Sequence, residues 1–213
     1  MADFATLVPD ALGFFEDLAQ NNDRDWFAAE KPRYEAVVKR PAEALLDTLG
    51  AWLTAETGRA QTPKLYRINR DLRFSKDKTP YNTHLHLQWS DAGGLAHLFG
   101  VSPDYVCAGV GAMGFDNTAL ERWRAGVAGP AGDDLAAQLD AAKGRLDQPA
   151  LKRVPAPYDQ DHPRADLLKR KGIVLWHDLD GAEQARPLEA MKAAFTRFAA
   201  FRDSLAAILA ARD

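Results

Sequence analysis

A run of basic side chains in the first half of the chain is the feature of the sequence most suited to chemistry. Residues 64–78 carry six cationic side chains and two carboxylates, which leaves a local excess of four positive charges. The whole chain has a formal net charge of −3, so this segment stands out against an acidic background. A guanidinium group presents a planar fork of donors that fits two oxygens of a carboxylate or phosphate. The run therefore predicts an anion-binding site.

Three interpretations of this basic run stay open at the level of sequence. In the first, three arginines clamp an anion, two lysines assist them, and two aspartates orient the arginines or act as a general base. The residues in these roles are Arg67, Arg70 and Arg73, then Lys76 and Lys78, then Asp71 and Asp77. In the second interpretation the same arginines and aspartates form a closed structural ion-pair network. In the third they form a solvated, polar strand face.

Two histidines, His84 and His86, lie two positions apart on a predicted strand and so share one face of it. Imidazole pairs in this arrangement bind metals, which makes a metal-assisted hydrolase a further hypothesis. The spacing selects no third ligand, and paired histidines on a polar face are also typical of solvent-facing positions. The sequence therefore assigns no metal and names no cofactor.

The string from Gly109 to Gly114 matches the letters of the dinucleotide-binding fingerprint, but its context does not match. The preceding strands are predicted to be antiparallel, and the acidic residue expected about 20 positions later falls at a helix start, at Asp133 and Asp134. We interpret the string as a glycine-rich strand packed closely under a helix. Cys107 precedes it without an obvious basic neighbour and is expected to be unreactive.

Hydrophobic periodicity predicts helices at both ends of the chain and strands between them. Residues 9–57 are predicted to be helical, with Asp23 as an N-cap and interruptions at Pro32 and Pro41. Alternating apolar residues predict strands over 65–74, 83–89, 95–101 and 105–113. The arginines in 67–73 recur at every third position, which would also fit one face of a helix. The aromatic and branched residues all fall at even-numbered positions, as on one face of a strand, so we favour the strand.

The second half of the chain is predicted to contain five further elements. These are a helix opened by a capping-box pattern at Thr118–Glu121, a helix from Asp133 or Asp134, a short helix over 164–169, a strand over 173–176, and one long amphipathic helix from Pro187. An extended loop is predicted over 151–163. Successive strands with short connections form an antiparallel meander. We therefore predict an α+β fold, with about four to five strands packed by N-terminal and C-terminal helices in a single domain over residues 1–213.

Composition limits the class of protein. The chain has 213 residues, 46% hydrophobic and 27% charged, as in soluble globular proteins. A pI near 6.0 argues against a nucleic-acid partner. No apolar run approaches about 18 residues, so no membrane partner is expected. The first residues lack the features of a signal peptide, and a single cysteine suits a reducing cytosol, so we expect a cytoplasmic protein.

Three segments carry a resemblance to a known family. They are Asn21–Phe27 followed by Lys31, Tyr34 and Pro41; Arg67–Tyr81, the most specific; and Leu151–Pro155 with Asp159–Lys169. In these segments the chain resembles proteins catalogued as a domain of unknown function (DUF 2461). Pro32 departs from the pattern of that family, which again predicts an interruption in the first helical region. The resemblance spans nearly the whole chain and implies one domain, but no particular reaction.

The resemblance also implies that the three segments meet in one place. Asn22, Arg24 and Trp26 would then lie beside the hairpin that ends at Tyr81. Lys152, Arg153 and His162 would lie at its rim, although Lys152 and Arg153 alone are also typical of a solvated basic run. The sequence thus predicts a site for a small phosphate- or carboxylate-bearing molecule. Whether the protein is an enzyme, and its oligomeric state, are not decided by the sequence.

Overall fold

The computed structural model describes residues 4–73 and 75–211 of the chain. The helices are Leu7–Gln20 (α1), Arg24–Tyr34 (α2), Arg40–Thr57 (α3), Asn117–Ala128 (α4), Ala131–Ala142 (α5), Ala165–Leu168 (α6), Gly181–Gln184 (α7), Pro187–Arg197 (α8) and Ala199–Ala210 (α9). The strands are Thr62–Leu65 (β1), Leu85–Ser90 (β2), Ala96–Ser102 (β3), Tyr105–Ala112 (β4), Arg145–Leu146 (β5) and Ile173–Asp178 (β6). No helix of the described residues is both long enough and apolar enough to cross a bilayer.

The strands form one antiparallel six-stranded sheet in the order β1-β2-β3-β4-β6-β5. The first four strands are neighbours in both sequence and space, as in a meander. The predicted α+β fold with an antiparallel meander and flanking helices is therefore confirmed. The two-residue strand β5, which pairs with β6 through Arg145–Trp176 and Leu146–Leu175, had no signal in the sequence.

The N-terminal helical region follows the predicted capping and proline chemistry with one difference. Asp23 caps α2, because its Oδ1 accepts hydrogen bonds from the backbone N–H groups of Asp25 and Trp26, both at 2.9 Å. Pro32 lies inside α2, so the expected interruption there is absent. The interruption occurs instead before Pro41, in a π-helical segment over Glu35–Lys39.

The π-helical segment has a local cause. Proline has no backbone N–H, so Pro41 cannot donate to the carbonyl four residues earlier. The Arg40 N–H bonds to the Glu35 carbonyl, which is the wider spacing of a π turn. The next helix, α3, ends at Gly58, whose left-handed φ of 64° suits glycine and matches the predicted end.

Contacts within the chain define two compact units, which are described separately. The first comprises Met1–Asp91, Leu98–Ala108 and Asp178–Ala193. Its core includes Leu85, Leu87 and Trp89, which alternate along β2 with half-buried residues as predicted. The Trp89 indole N–H donates to the Leu46 carbonyl at 2.8 Å, which ties β2 to α3.

The second unit comprises Ala92–His97, Gly109–His177 and Ala194–Asp213. Trp123 of α4 is fully buried and donates its indole N–H to the Leu167 carbonyl at 3.1 Å. Gly126 lets α9 approach α4, because a Cβ atom there would lie 2.6 Å from Ile208 Cγ2. The division into units does not test the prediction of a single domain, which stays a prediction.

The strand predicted over 65–74 is wrong in its bounds, since β1 ends at Leu65. Beyond it, two aspartates bond to the backbone two residues later: Asp71 accepts from Arg73 N at 3.2 Å, and Asp77 from Thr79 N at 2.9 Å. Such local bonds compete with a strand ladder. Phe74, which was expected to close the strand, lies outside the described residues.

Two helix predictions in the second half also need correction. The N-cap of α4 is Asp116, which accepts from Ala119 N at 2.8 Å, and not Thr118. The single helix predicted from Pro187 is two helices, α8 and α9, separated at Phe198. Phe198 is fully buried, so the chain keeps its apolar face inward through the break.

Candidate functional site

A groove of about 690 Å³ opens in the first unit beside the segment that follows β1. One wall is formed by α2, the π-helical segment and the start of α3, and the floor by residues 65–69. The lining residues are Phe27, Ala28, Lys31, Tyr34, Glu35, Lys39, Glu43, Leu65, Tyr66, Arg67, Ile68, Asn69 and Tyr81. π-helical segments are frequent at functional sites, and both ends of this one, Glu35 and Lys39, line the groove.

Tyr81 joins the floor of the groove to its helical wall. Its ring stacks on Phe27 of α2, with 4.1 Å between the ring centroids. Its backbone exchanges two hydrogen bonds with the Asn22 side chain, one at 3.0 Å and one at 3.1 Å. It also forms an isolated antiparallel bridge with Asn69. Asn22 and Tyr81, both predicted as site residues, thus connect the floor of the groove to its helical wall.

Two cationic side chains of the groove form no salt bridge within the described part of the chain, although the charge of Arg67 helps to lower the pKa of the nearby Asp71 carboxyl. Arg67 and Lys31 are both exposed and both line the groove. A third cation, Lys39, has its ammonium group 3.8 Å from Glu43. Glu35 is the remaining carboxylate of the lining. Three cations therefore face two carboxylates, and the groove keeps one net positive charge.

Tyr34 contributes a buried phenol to the same groove. The residue is only 8% exposed, yet its hydroxyl makes no hydrogen bond with any residue that the structure describes. Burial, together with the nearby carboxylates of Glu43 and Glu35, raises the pKa of Tyr34 to about 12. The phenol is therefore neutral at physiological pH and can both donate to and accept from a ligand.

The other two arginines of the basic run are bound to carboxylates in the loop that follows the floor. Arg70, with a side chain 24% exposed, donates Nη1 to Asp77 Oδ2 at 2.6 Å and also contacts Thr79 and Ser75. The Thr79 backbone N–H and then Arg70 lower the pKa of Asp77 to about 2. Neither Arg70 nor Asp77 lines the groove.

Arg73 and Asp71 form a two-pronged pair in the same loop. Arg73 Nε lies 2.9 Å from Asp71 Oδ1, and Nη2 lies 2.6 Å from Oδ2. These hydrogen bonds hold the pKa of the Asp71 carboxyl below its usual range. Both side chains are exposed, at 77% and 42%, so the pair is a surface feature. Of the three arginines, Arg67 alone belongs to the groove lining.

The remaining predicted residues of the first unit do not line the groove. Lys78 Nζ donates to the Leu72 carbonyl at 3.1 Å, and Lys76 is exposed. Arg24 is the exposed first residue of α2. Trp26 on the same helix packs against Phe14, with 5.9 Å between ring centroids.

The predicted rim residues belong to the second unit. Lys152 and Arg153 are exposed in the loop before α6. His162 is half-buried in that loop, and its Nδ1 accepts from the backbone N–H of Arg164 at 3.0 Å. That bond fixes the loop where it enters α6. The groove is built from residues of the first unit alone.

The residues of the groove lie within a segment that matches the sequence model of a known protein family. A sequence model of the family described as "Conserved hypothetical protein (DUF2461)" matches residues 10–203. The chain belongs to the DUF2461 family. The match covers all residues of the groove, and the resemblance seen in the sequence is thereby confirmed. No curated protein matches the chain.

The histidine pair of this DUF2461 chain forms a stack on the sheet. The rings of His84 and His86 lie 3.9 Å apart, and His86 Nε2 is 2.7 Å from the Tyr105 hydroxyl. Burial, and then the neighbouring His84, lowers the pKa of His86 to about 4. No group of three His, Cys, Asp or Glu side chains among the described residues is arranged to hold a metal ion. The two rings pack against each other, and His86 also contacts Tyr105.

The first part of the glycine-rich string, residues 109–112, lies in β4, and its glycines face β6, not a helix. A Cβ atom at Gly109 would lie 2.4 Å from Trp176 Cε3, and one at Gly111 would lie 2.0 Å from the Ile173 carbonyl oxygen. Both positions require glycine, because β6 approaches β4 too closely there to leave room for a side chain. Cys107 is a buried thiol outside any disulfide, and its hydrophobic surroundings in the sequence indicated its burial.

Sequence reasoning gave no site role to several members of the lining. Glu35, Lys39 and Glu43 fall in residues 9–57, for which the sequence predicts only helices that pack against the sheet. Lys31 and Tyr34 had a signal, because both belong to the first family segment. Folding alone brings Lys31 and Tyr34 to the same groove as Arg67, and no sequence motif links these three residues.

Proposed function

We propose that the groove binds a small molecule that carries a carboxylate or phosphate group. Arg67 and Lys31 receive the anion, and the Tyr34 hydroxyl donates a further hydrogen bond. The observation that carries this proposal is Arg67, a groove-lining guanidinium without an ion pair to any described residue. Because Arg67 is exposed and forms no salt bridge with a described residue, its guanidinium donors stay available to a carboxylate or phosphate that enters the groove.

The charge and shape of the groove support the same ligand class. Its one net positive charge favours a single anionic group, and the rings of Phe27, Tyr66 and Tyr81 offer contact area to the body of the ligand. A hydrogen bond to a charged group contributes roughly 1.5–3 kcal/mol. The proposal is for binding, and it assigns no reaction.

The test is a comparison of Arg67 with Arg73, which is matched in type but already paired. Wild-type protein is titrated by calorimetry, at low millimolar concentrations, with inorganic phosphate, nucleotides and di- and tricarboxylic acids. We expect Arg67→Lys to weaken binding of the best anion by about tenfold or more, since the bidentate fork is lost. We expect Arg73→Lys to leave it within about twofold. No binding by any anion, or equal losses in both variants, would refute the proposal.

A second candidate role is structural and concerns Arg70. We infer that Arg70 holds the loop before Tyr81 in shape through Asp77 and Thr79, as part of a non-enzymatic scaffold. The 2.6 Å contact between Arg70 Nη1 and Asp77 Oδ2 favours this role, whereas the Arg73–Asp71 pair is exposed. The two proposals are compatible, because they use different arginines.

The proposed setting is the cytoplasm. The sequence has a single cysteine, Cys107, which is buried, so the chain has no internal disulfide, as suits a reducing compartment. The formal net charge of −3 favours a small anion, and not nucleic acid, as the partner of the basic groove. Retention on heparin that falls steeply with salt would contradict this choice of partner.

A further inference from the structure

The floor of the groove is the open edge of a strand. The strand β1 stands first in the order of the sheet, so no strand among residues 4–73 and 75–211 lies on one of its sides. Leu65 pairs with Leu87, and the next residue, Tyr66, donates its N–H to His86 O at 3.0 Å. Hydrogen-bonded and non-hydrogen-bonded pairs alternate in an antiparallel ladder. The N–H and C=O groups of Leu65 therefore point away from β2.

The same situation recurs at the other end of the floor. The bridge between Asn69 and Tyr81 is flanked by bonds from Arg70 N to Pro80 O at 2.9 Å and from Asn82 N to Ile68 O at 2.7 Å. This pattern defines a non-hydrogen-bonded pair, so the N–H and C=O of Asn69 point away from Tyr81.

Arg67 lies between these two ends, and its backbone is also open. Its N–H makes no hydrogen bond with any residue in the described part of the chain, although its carbonyl lies 3.4 Å from Asn82 Nδ2. Leu65, Arg67 and Asn69 all line the groove. The floor thus offers three backbone donors in succession, beside the cations of Arg67 and Lys31.

We propose that the ligand of the groove is a short, extended peptide that adds a strand along residues 65–69, with a carboxylate held by Arg67 and Lys31. This inference rests on the proposed function, because it takes the anion of that site to be the carboxylate of a peptide. An open strand edge recognises peptides through main-chain hydrogen bonds, and neighbouring side chains supply specificity.

The geometry limits the length of the peptide. The chain bends at Ile68, so the straight part of the edge is short. At roughly 3.3 Å per residue, a peptide of about four to five residues spans residues 65–69. Alternate side chains of an added strand would point toward the aromatic rings of Phe27 and Tyr66 or toward solvent. A compact anion such as phosphate would use the cations but not the backbone donors.

The carboxylate of the peptide is either its free C-terminus or an acidic side chain. Binding measurements with two peptide pools distinguish these two cases. Both are fluorescein-labelled pentapeptides with randomised apolar and small polar residues. One pool ends in a free carboxylate and has no acidic side chain, and the other is amidated and carries one aspartate. We expect saturable binding of at least one pool in fluorescence anisotropy. Binding by neither pool overturns the inference.

A third pool has the same composition as the pool that binds but has N-methylated backbone amides. N-methylation removes main-chain donors and blocks strand addition without changing the carboxylate. We expect its affinity to fall by about tenfold or more, since several hydrogen bonds are lost. Equal binding of the methylated and unmethylated pools overturns the inference, and this result does not depend on any variant of the protein.

A matched pair of protein variants tests the edge directly. Leu65→Pro removes an outward N–H, and Pro63 already occupies the equivalent non-hydrogen-bonded position of β1, opposite Trp89. Leu65→Ala shortens the side chain but keeps the N–H. We expect the proline variant to weaken the peptide by about fivefold more than the alanine variant. Equal effects of the two folded variants, as judged by circular dichroism, count against strand addition.

The inference and the proposed function fail in different ways. If phosphate or di- and tricarboxylic acids bind through Arg67 while neither peptide pool binds, the anion site stands and the peptide is rejected. If neither the small anions nor the pools bind, both are rejected. Peptide binding that is unchanged by Arg67→Lys would reject the assigned carboxylate contact.

Discussion

The side-chain amide of Asn22 pairs with the backbone of Tyr81 as a neighbouring strand would. Its Nδ2 donates to the Tyr81 carbonyl at 3.0 Å, and its Oδ1 accepts from the Tyr81 N–H at 3.1 Å. One residue before the N-cap of α2 therefore anchors a chain segment 59 positions away. Since Tyr81 also stacks on Phe27, the relationship positions the groove floor against its helical wall.

Replacing Asn22 is expected to loosen this anchor. Asn22→Ala removes both hydrogen bonds and leaves the Tyr81 N–H and C=O without a protein partner. We expect the free energy of unfolding to fall by about 2–3 kcal/mol, as for two lost, partly buried bonds. Asn21→Ala is the control, because its Nδ2 donates only to Asp17 O in the preceding helix, at 2.9 Å. Urea denaturation measures both, and equal losses would contradict the anchoring role.

The paired arginines should differ in their effect on stability. Arg70 is 24% exposed and bonds to Asp77 and Thr79, so Arg70→Ala is expected to lower the melting temperature by about 2–4 °C or more. Asp71→Ala breaks an exposed pair with Arg73 and should leave the melting temperature within about 1 °C. Thermal denaturation decides the question. A large loss in Asp71→Ala would indicate a buried network instead of a surface pair.

The glycine-rich string allows a prediction that separates packing from nucleotide binding. Gly111 has a φ of 151°, and a Cβ atom there would lie 2.0 Å from a backbone oxygen of Ile173. We expect Gly111→Ala to cost more than about 2 kcal/mol of unfolding free energy. Gly114, whose Cβ would meet nothing within 4 Å, serves as the control, and Gly114→Ala should be nearly neutral. Similar small effects at both positions would contradict the packing role.

The sheet was predictable from the sequence where burial alternates along a strand. Leu85, Leu87 and Trp89 fall on one parity, and all three are buried in β2. The end of β1 at Leu65 was not predictable in the same way. Apolar residues continue to alternate along the chain beyond Leu65, although the strand pairing with β2 ends at that residue. After Tyr66 the backbone changes partner, and Asn69 pairs with Tyr81 instead of with β2. Alternation of apolar residues does not report such a change of partner.

The groove was predictable only in part, for a similar reason. Arg67, Arg70 and Arg73 have the same charge and nearly even spacing, so the sequence cannot tell which of them lacks a carboxylate partner. Loop geometry brings Asp77 to Arg70 and Asp71 to Arg73. The role of Tyr34 was not predictable for another reason. Whether a hydroxyl lacks a hydrogen-bond partner depends on all of its neighbours in the folded structure, and the sequence does not give them.

The histidine stack predicts a pH dependence of stability. His86 has a folded-state pKa of about 4, below the ordinary value of 6.5, because it is partly buried and lies beside His84. The unfolded state therefore binds more protons between these values. The stabilisation is fully present above pH 6.5 and is lost as the pH falls toward 4. Because the ring is not fully buried, solvent screening reduces the effect to about 1 kcal/mol between pH 7 and pH 5.

The double replacement of both histidines tests this dependence. Tyr66, Gln88 and Tyr105 also face His86, and the Tyr105 hydroxyl bonds to it without changing charge below neutral pH, because burial raises its pKa above the ordinary 10.0. His86→Gln should therefore reduce the loss of stability between pH 7 and pH 5, and adding His84→Gln should reduce it further. Urea denaturation at the two pH values measures the loss, and NMR titration of the wild-type His86 ring measures the pKa directly. If the double variant keeps the full pH dependence, the titrating group lies elsewhere in the chain, and the stack acts through packing alone.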